Sequence, residues 1–201
     1  MRRFVFGAAC VFALAVTPLF GQTANPLVAA FRQDLTRKFS NLAAGAQIMP
    51  ANKYGYQPTP AEYTFGGMVL HVAGSAGMMC SRASGAAAPS LAGLTPNSPK
   101  AKLVAAMRAA FDFCNDQLAK LTDADLTQSV PMFGGRMMPK IGVLVTLVDD
   151  MGDHYSQESI YLRINGHLPP TAMGRGGMMR GGRRGGRGGR MGGMSPMGGG
   201  M

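Results

Sequence analysis

The sequence predicts an all-α protein, a four-helix bundle of up-down type with loops long enough for crossovers. Three observations carry this. Four segments place apolar residues three and four apart, the spacing of one helix face. Proline and glycine clusters separate those segments. No stretch alternates as a strand of any length would.

The folded part is shorter than the 201 residues of the chain. Residues 1–21 have two arginines, an apolar run from Phe4 to Phe20 and small residues at its end. That is the pattern of a cleaved signal peptide, with cleavage after Gly21. The alternative, an uncleaved anchor, meets a run that is short for a span of ~20 residues. Cys10 lacks the flanks of a lipoprotein site. Export, to a periplasm or outside the cell, is the expectation, with no transmembrane span left after cleavage.

Residues 171–201 are almost only Gly, Arg and Met. Such a segment cannot bury enough apolar surface to offset chain entropy and is expected to be disordered. One domain, residues 25–170, remains, long enough for one core.

Helix by helix, the reading is as follows. Asn25 caps and Pro26 opens a first helix, with Leu27, Val28, Phe31, Leu35, Phe39 and Leu42, to about Ile48. Thr59, Pro60 and Glu62 read as cap, first position and capping-box partner of a second. It carries Phe65, Met68, Val69, His71, Val72, Ala76 and Met79 to Gly85. A third follows Pro99, with Leu103, Met107, Ala110, Phe111, Cys114 and Leu118 on one side. Thr122 begins a short turn or helix, and Val130 to Met138 is a glycine-bearing loop. The last helix runs from about Pro139 to Asn165 and is stopped by Gly166 and Pro169-Pro170.

The net charge of +10 belongs to the ends. Two arginines lie in the signal and six in the tail, while all ten acidic residues face twelve Lys and Arg in the domain. A basic-domain case for nucleic acid therefore fails, and nucleic acid is a disfavoured partner. The Arg-Gly-Gly tail of an exported protein would instead meet an anionic envelope surface. Its Met191, Met194 and Met197 have the spacing of soft copper(I) ligands, although a Gly/Met/Arg-biased tail produces such spacings by chance. Cys80 and Cys114 are an even pair in an oxidising compartment. A disulfide and two separate buried thiols are both open.

The last helix concentrates Asp149, Asp150, Asp153 and His154. Positions 150 and 154 are one turn apart on the same side. His71, in the middle of an apolar helix, could supply a third ligand from a facing helix. Two imidazoles and a carboxylate suit Zn²⁺, Ni²⁺, Fe²⁺ or Mn²⁺ and leave positions open for water or substrate. The alternative is a hydrogen-bonded core histidine. Asp149 and Asp153 are expected to face solvent, Asp153 with a second role as an orienter. Gln157 could lean over the site or bond a neighbouring backbone. His167 lies beyond the helix and outside the site.

The segments KYGYQPTPAEYTFGGMVLHVAG, AAFDFCNDQLAKLTDADL and DDMGDHYSQESIYLRINGHLPP resemble the DinB/YfiT-like (DinB superfamily) domain, in an exported bacterial branch. The resemblance spans the whole domain. It implies a four-helix bundle, often homodimeric, with one metal-binding histidine on the second helix and an H-x-x-x-H pair on the last. Carried over, His71 matches the first histidine and His154 the last, while Asp150 stands where the family usually has histidine. Some members of the superfamily are metal-dependent thiol transferases, but reduced low-molecular-weight thiols are cytosolic. The expectation is an exported metal-binding protein, a metal-dependent transferase or hydrolase of unspecified substrate. The competing expectation is a non-catalytic envelope binding or scaffold protein with a degenerate site and a basic interaction tail.

Overall fold

A computed structural model describes residues 24–173. Four helices make up most of it: α1 (Pro26–Ile48), α2 (Phe65–Ser84), α3 (Lys100–Leu118) and α4 (Lys140–Ile164). The helix α1 packs on α3 and α4, and α2 packs on the same two. Round the bundle the order is α1, α3, α2, α4. The α1–α2 and α3–α4 connections therefore each cross a diagonal, which is the crossover form of the expected bundle. The signal segment with Cys10, and the tail from residue 174 with its Arg-Gly-Gly and Met-x-x-Met patterns, lie outside the described residues.

The apolar spacing places the core as expected. Leu35, Phe39 and Leu42 of α1 meet Leu103, Met107 and Phe111 of α3, and Leu144, Leu147 and Met151 of α4, in one buried cluster. Phe39 and Phe111 stack with ring centroids 4.2 Å apart. Leu27 is 50% exposed. It stands in the first turn of α1, about 100° round the helix from buried Val28.

Two helix starts differ from the sequence reading. Asn25 makes no side-chain cap on α1. Its Oδ1 accepts from the Asp123 backbone N–H at 3.0 Å, and the Asp123 carboxylate accepts from Leu27 and Val28 N–H at 3.0 and 2.9 Å. An anion from a distant turn thus serves the helix N-terminus, where it is favoured. The helix α2 begins six residues later than Thr59, at Phe65, with Thr64 as cap (Gly67 N–H to Oγ1, 3.0 Å). Residues 59–62 form a turn, with Glu62 N–H donating to the Thr59 carbonyl. The cause is tertiary. The carbonyls of Tyr56 and Tyr54 accept the N–H groups of Phe65 and Gly66, which fixes where the helix starts.

Lys100, at the start of α3, donates from Nζ to the carbonyls of Gln47 and Met49 at 2.7 Å each, covering the C-terminus of α1. The turn expected after Thr122 is a 3-10 helix, Asp123–Thr127, with a complete Thr122/Asp125 capping box. The expected loop beyond it is a small hairpin, β1 (Ser129–Pro131) and β2 (Met137–Pro139), antiparallel with Val130 opposite Met138. Gly134 and Gly135 turn it at positive φ. Three-residue strands are too short to show alternation in sequence.

At the far end, Gly166 adopts a φ of 79° and the His167 N–H returns to the Leu162 carbonyl, closing α4. Order continues past residue 170: Thr171 is held by the Tyr155 hydroxyl, through Oγ1 at 2.9 Å and N–H at 3.1 Å. Residues 171–173 form a short helical turn on Pro169. Among the described residues, no helix is long and apolar enough to cross a membrane.

Cys80 of α2 and Cys114 of α3 are joined by a disulfide between two fully buried positions, which decides between the two readings left open. The closed loop spans 34 residues, for which loop entropy gives about 3–4 kcal/mol. A Cys80→Ala/Cys114→Ala double variant is expected to lose stability of that order in denaturant unfolding; an unchanged midpoint would show that the crosslink adds nothing to the packed α2–α3 pair.

Candidate metal centre

The site lies where α2 and α4 face each other. His71 and Ser75 sit one turn apart on α2, and Asp150 and His154 one turn apart on α4. Each pair presents two polar side chains on one side of its helix. Packed together, they bring one ligating atom from each of His71, Asp150 and His154 within 4.8 Å of one another. The His154 Nε2 lies 3.4 Å from Asp150 Oδ1, and the His71 and His154 rings meet edge to face at 4.7 Å.

The surroundings orient these groups. The Ser75 hydroxyl donates to Asp150 Oδ2 at 2.5 Å, leaving Oδ1 toward His154. Gln157 Nε2 donates to Asp153 Oδ2 at 2.9 Å, which turns its Oε1 toward His154 Nδ1 at 3.2 Å. An amide oxygen only accepts, so Nδ1 carries the proton and donates. His154 Nε2 then faces the Asp150 carboxylate, to which it donates while the ring is protonated, and a metal would take that nitrogen in exchange for the proton. Asp153 is exposed as expected, and it also acts on the site through Gln157. Asp149 is exposed and His167 is outside the group.

Burial acts to raise the Asp150 carboxyl, but hydrogen bonds from His154 and Ser75 and the charge of both imidazoles outweigh it and hold it below the usual carboxylate range. His154 is raised, mainly by its hydrogen bond to Asp150, against the opposing effect of burial. His71 is lowered by burial and by His154, with Asp150 acting the other way. The group therefore pairs an ionised carboxylate with one imidazole inclined to stay neutral.

Metal bonds of ~2.1 Å in tetrahedral geometry put ligand atoms about 3.4 Å apart. The His154–Asp150 separation already has that value, and the 4.8 Å limit leaves His71 within a small side-chain adjustment. The donor set fits one divalent ion.

The DinB superfamily profile matches residues 33–157, more than half of the chain and all of the site. The chain belongs to the DinB superfamily. Among solved structures, the crystal structure of a DinB-like protein from Bacillus cereus is similar in fold, with a TM-score of 0.60 at 20% identity, covering 71% of this chain and 95% of that one. No curated protein matches the sequence.

In this DinB bundle the sequence reading missed Ser75 and Glu158. Each stands four residues past a candidate ligand, so the helical spacing that joins 150 to 154 also reaches them. Glu158 is 1% exposed, and its Oε2 has no hydrogen-bond partner. It packs against Gly45 of α1, where a Cβ would overlap its carboxyl group. Burial raises its pKa well above the ordinary value, so the acid is held neutral.

Between the unfolded value near 4.5 and the raised folded value, only the folded state keeps the proton, so stability falls as pH rises through that window. Glu158→Gln removes the titration. It is expected to be more stable than the wild type at neutral pH and to lose that advantage below about pH 4.5. Parallel stability–pH curves for the two proteins would show that Glu158 does not carry this linkage.

Proposed function

We propose that this chain is an exported DinB-type protein that holds one divalent metal at His71, Asp150 and His154 and serves as a metal-dependent transferase or hydrolase. The observation that carries the reading is the convergence of two imidazoles and a carboxylate, from two facing helices, within 4.8 Å. When bound there, the metal would supply Lewis-acid activation of a substrate oxygen or a water.

The residues divide the remaining work. His154 is buried and fixed by Gln157, and Asp150 is fixed by Ser75, so both are set before any ligand arrives. His71 is the most exposed member, and a substrate would approach from its side. Three protein ligands leave at least one position of a tetrahedral ion open, which is the arrangement of catalytic rather than structural sites. Aspartate in place of a second α4 histidine makes the donor set harder, favouring Zn²⁺, Fe²⁺ or Mn²⁺ over softer ions. The Cys80–Cys114 disulfide supports an oxidising compartment and hence export. It also weighs against a reduced-thiol substrate.

One observation favours a second reading, a binding protein with no metal. The Asp150 carboxylate is satisfied by Ser75 and His154, and His154 by Gln157 and Asp150, so most of the cluster is internally paired.

Metal content of protein purified without a histidine tag separates the two. The proposal expects about one equivalent after supplementation, lost in a His71→Ala/His154→Ala variant that stays folded. No metal from Zn²⁺, Mn²⁺, Fe²⁺ or Ni²⁺ at neutral pH leaves the binding-protein reading.

A further inference from the structure

We propose that Tyr63 is the positioning residue for His71, the one member of the metal group that no hydrogen bond orients. This rests on the metal reading above, because the value of a fixed His71 ring lies in presenting its lone pair to an ion.

Among the described residues, Asp150 has Ser75 and His154 has Gln157, while His71 has no side-chain hydrogen bond. What it has is a ring. Tyr63 stacks on the His71 imidazole with centroids 5.1 Å apart and planes 23° from parallel. A second constraint comes from His154, edge to face at 4.7 Å. Between a stacked face and a perpendicular edge, the imidazole has little freedom about its second side-chain torsion.

The Tyr63 ring can do this only if it is itself held, since it is half-exposed. One contact fixes the backbone that carries it, and one lies beside the ring. The Tyr161 hydroxyl donates to the Tyr63 carbonyl at 2.7 Å, and Tyr161 is buried on α4, seven residues past His154, edge to face with Tyr56. Beneath the ring, Gly67 lies one turn before His71. A Cβ there would sit 3.7 Å from Tyr63 Cδ1 and 3.0 Å from the capping Thr64 Oγ1. The Tyr63 ring thus lies along α2 at ordinary contact distance from position 67, one turn short of His71. The α4 helix thus supplies two ligands directly and, through Tyr161, fixes the residue that aims the third. The later start of α2 makes this arrangement possible. With α2 beginning at Thr59, Tyr63 would be a helical residue pointing about two turns before His71, with its carbonyl committed to the helix.

Tyr63 also bounds the open side of the group. Its exposed ring lies beside the partly exposed His71.

The test compares Tyr63→Ala and Tyr63→Phe in the full-length protein, with Zn²⁺ as the probe. Outer partners of metal ligands are worth about 10–100-fold in affinity. Tyr63→Ala is expected to weaken Zn²⁺ binding by at least tenfold, with Tyr63→Phe close to wild type and the metal-free melting temperatures of all three alike. Equal Zn²⁺ affinity for the alanine variant and the wild type would overturn the proposal. A metal-independent readout separates this from failure of the metal reading itself. In the metal-free protein, NMR of the His71 ring protons should show an upfield ring-current shift that Tyr63→Ala abolishes. If the wild type binds no Zn²⁺ but the shift is present and lost in the variant, the positioning stands and the metal reading falls. If no shift is present, the positioning falls.

Discussion

Helix α4 buries His154 and Glu158 and half-buries Asp150 on a face that packs into the bundle, and each must be accommodated beside a largely apolar interior. A polar group taken from water without a partner costs several kcal/mol. The three are handled differently. Asp150 is given a hydroxyl from α2, His154 an amide from its own helix, and Glu158 a glycine-lined space on α1 in which it is held neutral. The first two solutions hold Asp150 Oδ1 and His154 Nε2 against each other beside α2; the third removes a charge. The polar residues therefore form a site at one level of α4 and a neutral buried acid one turn further on.

The bundle around them is fixed by long-range ties rather than by strong local helix signals. Asp123 serves the N-terminus of α1 and Lys100 its C-terminus, from parts of the chain that are remote in sequence. The disulfide joins α2 to α3, and Tyr161 of α4 anchors the segment leading into α2. These ties matter for the site because both of its helices start after long connections. A slip of one residue in either helix would rotate its polar pair by about 100° and separate the ligands.

Most of the fold was legible in the sequence because helical periodicity is a property of single segments. The four helices, their buried faces and the end of α4 could be read from apolar spacing and from Gly166. The start of α2 could not. Thr59-Pro60-Ala61-Glu62 has the local chemistry of a helix N-terminus, but the carbonyls of Tyr54 and Tyr56 compete for the N–H groups of Phe65 and Gly66 and win. The Asn25 cap failed for the same reason, since Asp123 offers the better acceptor. Of the site, His71, Asp150 and His154 were legible from spacing and from the family resemblance, which also marked Asp150 as a departure from H-x-x-x-H. Ser75 was not, because one serine in a small-residue helix carries no signal until the facing carboxylate is known. Glu158 was overlooked although its spacing is regular; an acid on an apolar face reads as solvent-exposed until Gly45 is seen to make room for it.

The central claim is that the α2–α4 contact is built to hold one ion between His71, Asp150 and His154. Anomalous diffraction at the zinc edge from crystals soaked in Zn²⁺ tests it most directly. The account predicts one dominant peak about 2.0–2.2 Å from a nitrogen of His71, the Nε2 of His154 and an Asp150 oxygen. The absence of a peak there, with the same His154–Asp150 contact retained, would contradict it.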